Sequence, residues 1–249
     1  MSLRALRRAV ALVFALGCCV LSYWWIRLRG RITLEQRAMW LHGASRRVLR
    51  ALGIESRVCG PAPARGLVVS NHLSYLDIAL ISAAMPCFFV SKTEVGRWPY
   101  FGRAARTGGT IFIDRSSRAS TAAVVEQIAE RLGLPIPVLV FPEGTSSDGS
   151  RVLRFHPSLF EPAIVAGGPV TAAAVRYLLD DGGKESELCW FGDTLFLSHL
   201  WRVLGTAGFS AEVRFGEPRV YPDRRTAAEA THDEIAAMRA ERQPVAISS

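Results

Sequence analysis

The pattern of apolar and polar positions divides the chain into an arm and a body. Ala9 to Ile26 carries no charge, and Ile32 to Leu52 mixes apolar residues with arginines in the manner of an amphipathic helix. The segment from Gly60 to Pro63 then has the composition of a rigid linker. We therefore expect a helical arm over residues 1–59, with a hydrophobic anchor and a basic amphipathic helix, and a separate domain over residues 60–249.

Short apolar runs in the body predict the strands of one sheet. A helix is expected from Thr121 to Leu132, with Ser120 as its cap and Gly133 at its end, and another over residues 226–242. The predicted strands span residues 66–70, 87–91, 109–113, 136–141, 169–175 and 211–216. Because alternating strands and helices favour parallel pairing, the expected fold class is α/β: a single domain with a largely parallel central sheet flanked by helices.

The arm has the composition of a membrane-associated segment. Its uncharged stretch of eighteen residues would reach roughly 27 Å as a helix, enough to cross a thin bilayer or only to dip into one. Tyr23, Trp24 and Trp25 suit the headgroup boundary, and the arginines that follow favour a cytoplasmic body. A cleaved signal peptide is the alternative, but no clear Ala-x-Ala pattern follows. We expect an inner, cytoplasmic membrane location with the body on the cytoplasmic side.

Charge and cysteine content narrow the class of protein. Residues 1–57 contain eleven arginines and two glutamates, a net charge of +9, whereas the whole chain has +8, so the remainder carries −1. A near-neutral body argues against nucleic-acid binding, and a basic arm is typical of proteins held at anionic lipid. The five cysteines include no Cys-x-x-Cys pair, so neither a disulfide framework nor a metal site is expected.

A histidine and a carboxylate follow the first predicted strand of the body. On one regular helix, His72 and Asp77 would point roughly 140° apart. If His72 instead lies in the turn after strand 66–70, Asp77 falls in the first turn of the next helix and can fold back onto it. A carboxylate in that position fixes the imidazole tautomer and leaves the other ring nitrogen free as a general base. The alternative is an ordinary structural hydrogen bond.

Two further strands end in polar groups. The run 109–113 is followed by Asp114 and Arg115, and the run ending at Phe141 leads into a turn. That turn consists of Pro142, Glu143, Gly144 and Thr145. In order and spacing, the blocks Asn-His-x4-Asp, Phe-Ile-Asp-Arg and Phe-Pro-Glu-Gly-Thr resemble those of the glycerolipid acyltransferase family, which includes 1-acylglycerol-3-phosphate acyltransferase. The resemblance covers about residues 66 to 176.

The resemblance implies an activity and a set of site residues. A fatty acyl group would move from acyl-CoA or acyl-carrier protein to the hydroxyl of a lysolipid, directly and without a covalent intermediate or a cofactor. His72 would be the general base, and Asp77 would orient it. The implied substrate-binding residues are Asn71, Arg115, Glu143, Gly144 and Thr145. Asn71 has a second possible role in shaping the turn, and Arg115 a second possible role in a structural ion pair.

One position departs from the family pattern. Ser146 follows Thr145 where the family usually has an arginine, and a neutral serine cannot make the charge-assisted contact that an arginine makes to phosphate. Either Arg115, Arg151 or Arg154 compensates, or the acceptor is not lysophosphatidate. The variant block resembles the branch that includes lyso-ornithine lipid acyltransferases.

Two other functions stay open at this point. A non-enzymatic membrane adaptor would bind lipid through the basic arm and would not need the intact Asn-His-x4-Asp block that contains His72 and Asp77. A lipid hydrolase would need either a metal cluster, for which the histidines lack ligand spacing, or another route to activate water.

Overall fold

The computed structural model describes residues 2–97, 101–113 and 118–241. The helices are α1 (Leu3–Leu28), α2 (Leu34–Leu52), α3 (Leu76–Ala84), α4 (Thr93–Gly96), α5 (Phe101–Thr107), α6 (Arg118–Leu132), α7 (Glu161–Val165), α8 (Phe196–Gly205) and α9 (Arg224–Ala240), with short 3-10 turns at Pro157–Leu159 and Glu185–Glu187. The strands are β1 (Glu55–Cys59), β2 (Leu67–Ser70), β3 (Phe88–Lys92), β4 (Ile111–Ile113), β5 (Val138–Val140), β6 (Val170–Leu179) and β7 (Phe209–Phe215).

The described strands form one sheet in the order β1-β7-β6-β2-β5-β3-β4. Strands β6, β2, β5, β3 and β4 run parallel, while β7 is antiparallel to β6 and parallel to β1. The predicted α/β class with a largely parallel sheet is confirmed. Since β2 and β5 are parallel neighbours, the loops after both strands open at the same edge of the sheet.

Helices cover both faces of the sheet, which explains why its central strands are apolar without alternation. On one face, Leu49 of α2, Leu80 of α3 and Val203 of α8 pack around the strand residues Val68 and Leu139. On the other face, residues of α6, α7 and α9 pack against the intervening strand residues, among them Ile128, Ala163 and Ile235. The sheet therefore has a buried core on each side.

Several elements differ from the sequence prediction. Residues 55–59, assigned to the arm, form the edge strand β1, which is mostly exposed and therefore lacks an apolar run. Strand β6 continues to Leu179, and α6 begins at Arg118, so Ser120 lies inside the helix and is not its cap. Helix α8 was not predicted. Its N-cap position is Leu195, which makes no side-chain cap hydrogen bond, so no polar cap residue marks its first turn.

Helix α1 lies lengthwise against the rest of the molecule. Ala5, Ala15 and Cys19 form its buried stripe, while most of its large apolar side chains are exposed. The indole Nε1–H of Trp40 on α2 donates to the carbonyl of Cys19 at 3.1 Å, which fixes α1 along α2. By length and composition α1 could cross a membrane.

Candidate active site

The site is built where β2 and β5 end side by side. Val69 of β2 pairs with Val140 of β5, so the loop that begins at Asn71 lies next to the turn that begins at Phe141. The backbone N–H of Ser147 donates to the carbonyl of His72 at 2.9 Å and ties the two segments together. The sheet register therefore brings the first and third sequence blocks into contact.

His72 and Asp77 are in direct contact, as the sequence predicted. His72 Nδ1 lies 2.7 Å from Asp77 Oδ2, and Asp77 is in the first turn of α3. The imidazole stacks on the ring of Phe141 with a centroid distance of 4.0 Å, and the side chain of His72 is 21 % exposed. With Nδ1 donating to the carboxylate, Nε2 keeps its lone pair and is the nitrogen able to accept a proton.

Asp77 is fully buried and held by a dense set of donors. Oδ2 also accepts the backbone N–H groups of Leu73 at 2.6 Å and Ser74 at 3.0 Å. The hydroxyl of Tyr177, on β6, donates a short hydrogen bond to Oδ1. Hydrogen bonds from these groups offset the cost of burying the carboxylate and fix its orientation toward His72.

Asn71 shapes the turn from within. Its side chain is 1 % exposed, its Nδ2 donates to the carbonyl of Val175 at 3.1 Å, and its Oδ1 accepts the N–H of Val175 at 2.8 Å. These two bonds extend the β2–β6 ladder through a side chain, so the loop leaves the sheet at a fixed point. A contact between Asn71 and the substrate stays a prediction.

Glu143 holds the other side of the His72 loop. Its Oε1 accepts the backbone N–H of His72 at 3.1 Å, while Oε2 is buried and has no hydrogen-bond partner within the described part of the chain. Burial raises the pKa of Glu143 to about 8, with a further increase from the charge of Asp77; the N–H groups of His72 and Leu153 act in the opposite direction. At pH 7 the carboxyl group of Glu143 is therefore mostly neutral.

Gly144 and Thr145 complete the turn. Gly144 has φ +72, a conformation that favours glycine, and its N–H donates to the carbonyl of Phe141 at 3.1 Å. That N–H closes the turn. The side chain of Thr145 is exposed at the same edge of the sheet.

Two of the three basic residues named from the sequence fall within the described part of the chain. Arg115 lies outside the described residues, and Arg151 and Arg154 are exposed on the following loop. Ser146, at the position of the family arginine, donates through Oγ to the carbonyl of Trp190 at 2.5 Å. A neutral side chain bonded to the backbone thus occupies this position.

Sequence reasoning missed two residues that support the site. Tyr177 lies on the same face of β6 as Val175, and extending the predicted strand by two residues would have placed it there. Arg239, on α9, is nearly buried and donates to the carbonyl of Gly149 at 2.7 Å and to Glu185 Oε2 at 2.7 Å. Since Arg239 is far from the site in sequence and belongs to a helix that looked solvent-facing, no sequence signal identified it.

Within the described residues, no three His, Cys, Asp or Glu side chains gather as metal ligands would. The groups at the sheet edge that can exchange a proton include the imidazole of His72 and the buried carboxyl groups of Asp77 and Glu143. A partly exposed imidazole that is paired through one ring nitrogen with a carboxylate is suited to take a proton from a hydroxyl group at its other nitrogen.

Comparison with known proteins finds a family profile and several relatives that match this chain. The Acyltransferase family profile matches residues 57–176. A lyso-ornithine lipid O-acyltransferase from Pseudomonas aeruginosa is 36 % identical over 87 % of this chain and 85 % of its own length. A 1-acyl-sn-glycerol-3-phosphate acyltransferase from Neisseria meningitidis is 37 % identical over 68 % of each chain.

A solved structure supports the fold. The crystal structure of the 1-acyl-sn-glycerophosphate (LPA) acyltransferase PlsC from Thermotoga maritima superposes with a TM-score of 0.67, at 20 % identity over 97 % of both chains. Together with the sequence relatives, these matches define the class: the chain belongs to the acyltransferase family. It is an O-acyltransferase similar to those that act on lysolipids.

Proposed function

We propose that this protein moves a fatty acyl group from an acyl thioester to the hydroxyl of a membrane lysolipid, with His72 as general base and Asp77 as its orienter. The observation that carries the proposal is the 2.7 Å contact between His72 Nδ1 and the buried carboxylate of Asp77, in a histidine side chain that is 21 % exposed. The family of the chain supports the reaction type.

The proposed reaction needs no covalent enzyme intermediate. His72 Nε2 takes the proton from the lysolipid hydroxyl while its oxygen attacks the thioester carbonyl. The tetrahedral intermediate collapses, the C–S bond breaks, and the imidazolium returns its proton to the thiolate. Asp77 fixes the tautomer with Nδ1 protonated and stabilises the positive charge that His72 carries between the two proton transfers.

Glu143 has a different part in this scheme. Its Oε1 holds the backbone of His72, and its raised pKa keeps it largely neutral at pH 7. A second carboxylate charge beside His72 would favour the imidazolium and withdraw the base from the reaction. A neutral Glu143 also avoids an uncompensated charge on Oε2, which is buried and has no hydrogen-bond partner among the described residues.

For the acceptor, we propose lyso-ornithine lipid in preference to lysophosphatidate. The support is Ser146, which stands where the family usually has an arginine and whose hydroxyl is bonded to the Trp190 carbonyl. A phosphate headgroup would lack a charge-assisted partner at this position. The Pseudomonas aeruginosa relative is named for lyso-ornithine lipid.

We also propose that α1 anchors the protein at the cytoplasmic face of the inner membrane, within the interface and not as an isolated spanning helix. Trp40 of α2 holds α1 at Cys19 and at Ser22, and Arg8 holds it to α8. Because α2 carries the exposed Arg46, Arg47 and Arg50, it cannot follow α1 into hydrocarbon. The exposed apolar face of α1 is then what enters the lipid.

The test is a matrix of substrates with purified protein in lipid vesicles. Lyso-ornithine lipid and lysophosphatidate are each offered with acyl-CoA and with acyl-carrier protein, to the wild type and to His72→Ala. The proposal predicts transfer that depends on His72, survives exhaustive chelation and favours lyso-ornithine lipid. Transfer of equal rate in both variants, or a radiolabelled acyl group bound covalently to the wild type, contradicts the mechanism. Transfer that favours lysophosphatidate contradicts only the proposed acceptor and not the mechanism.

A further inference from the structure

Helix α8 and the loop before it expose an apolar surface that the proposed reaction does not use. Leu195 is 73 % exposed and Leu197 is 75 % exposed, beside the partly exposed Phe191 and Trp201. We call these four side chains the α8 surface. The opposite side of α8 is buried through His199, Val203 and Leu204, so α8 is an amphipathic helix whose apolar character extends beyond the side that packs on the core.

The α8 surface is continuous with the exposed face of α1. A groove of about 600 Å³ runs between the two helices and is lined by apolar side chains and one serine: Ala9, Leu12 and Val13 of α1, and Leu197, Ser198, Leu200, Trp201 and Leu204 of α8. The guanidinium of Arg8 donates to the carbonyl of Thr206 at 2.8 Å and Arg4 donates to the same oxygen at 3.1 Å. The two helices therefore present one joined apolar area.

The segment that carries the α8 surface is also bonded to the active-site loop. The N–H of Trp190 donates to the carbonyl of Leu73 at 2.8 Å, one residue after His72. The ring of Tyr75, in the same loop, packs on Phe196 with a centroid distance of 4.9 Å and its hydroxyl lies 3.1 Å from His199 Nδ1. Any surface that α8 contacts is thus held at a fixed position relative to the site.

We propose that the α8 surface is a second membrane-contacting element, which inserts into the lipid beside α1 and seats the opening of the active site on the bilayer. The proposal rests on the proposed membrane association of α1, because the occupant is inferred from the continuity of the two apolar faces. Arg7 and Arg202 are exposed on the same two helices, where their long side chains suit anionic headgroups around an inserted apolar patch.

The experiment compares Leu197→Glu with a control of matched exposure. Val165 is 77 % exposed on α7, which packs on α6, so Val165→Glu adds the same charge at an exposed apolar position elsewhere. Sedimentation with vesicles of phosphatidylethanolamine and phosphatidylglycerol gives the partition coefficient of each protein. Replacing an inserted leucine by glutamate is expected to lower partition by about tenfold or more, while Val165→Glu should match the wild type.

A second readout separates membrane seating from chemistry. Leu197→Glu should raise the apparent KM for a vesicle-embedded lysolipid and leave kcat for a short-chain, detergent-dispersed lysolipid within about twofold. Equal partition of Leu197→Glu and Val165→Glu overturns the proposal, and so does an equal loss with both acceptors. If the wild type transfers no acyl group, the proposed function fails, but the difference in partition still decides the role of the α8 surface.

Discussion

Two buried carboxyl groups flank His72, and they differ in how the fold treats them. Asp77 reaches the imidazole and is met by two backbone N–H groups and the hydroxyl of Tyr177. Glu143 accepts from the backbone of His72 and does not contact its ring, and burial raises the pKa of Glu143 to about 8. The comparison shows how one sheet edge places two buried carboxyl groups with different hydrogen-bond partners on either side of one base.

Replacing the proposed base, His72, should have the largest effect on turnover. His72→Ala leaves both carboxyl groups without the imidazole between them. Turnover should fall by about 10² to 10⁴-fold or more, as for the loss of a positioned general base. The measurement is acyl transfer to a lysolipid in vesicles, with His232→Ala, a partly exposed histidine outside the site, as the control. A loss in the control equal to that in His72→Ala would contradict the assignment.

Asp77→Asn removes the carboxylate that contacts the His72 ring and leaves Glu143 unchanged. The amide keeps the size of the side chain but cannot hold the imidazole with Nδ1 protonated while accepting the same donors. We expect turnover to fall by about 10²-fold or more with little change in the apparent KM. Near-wild-type turnover would show that the contact is only structural.

Tyr177→Phe removes the hydroxyl group that donates a hydrogen bond to Asp77, so it tests whether the number of donors to this carboxylate matters. Loss of one hydrogen bond to a charged group is expected to lower kcat by about tenfold. Asp77 then acts more strongly on the imidazolium, so the acidic limb of the pH profile should move to higher pH. Unchanged limbs together with a lowered melting temperature would indicate that Tyr177 only stabilises the fold.

Glu143→Gln tests the role of the neutral carboxyl group. Of the four substitutions, it should have the smallest effect on turnover. Glutamine keeps the acceptor for the His72 N–H, so activity at pH 7 should stay within about threefold. The folded pKa, about 8, lies above the value of 4.5 for an unperturbed glutamate. Between these two values the carboxyl group of Glu143 is protonated in the folded chain and ionised in the unfolded chain. Glu143 therefore destabilises the fold increasingly as pH rises from about 4.5 to 8.

The melting temperature gives the matching measurement for Glu143. Between pH 6 and pH 9 the wild type should lose more stability than Glu143→Gln, with the full penalty reached above pH 8. Identical pH dependence in the two proteins would mean that Glu143 is ionised in the folded state at pH 7 and that the contrast with Asp77 does not exist.

The sequence predicted those parts of the fold and the site that depend on local pattern. Apolar runs located β2 and β5, and the spacing of His72 and Asp77 was enough to predict their contact once the loop followed a strand. Strand β1 was missed because an exposed edge strand needs no apolar run. Tyr177 and Arg239 were missed because their partners lie in other elements, and Arg115 lies outside the described residues.

The most direct test of the central claim is the protonation of the His72 ring, measured by ¹⁵N NMR on protein labelled at histidine and assigned with His72→Ala. At pH 8 an unperturbed histidine is neutral, so the tautomer can be identified from the two nitrogen shifts. The account predicts a proton on Nδ1, directed at Asp77, and an unprotonated Nε2. A proton on Nε2 with Nδ1 bare, or a ring that resembles free histidine in both wild type and Asp77→Asn, would contradict it.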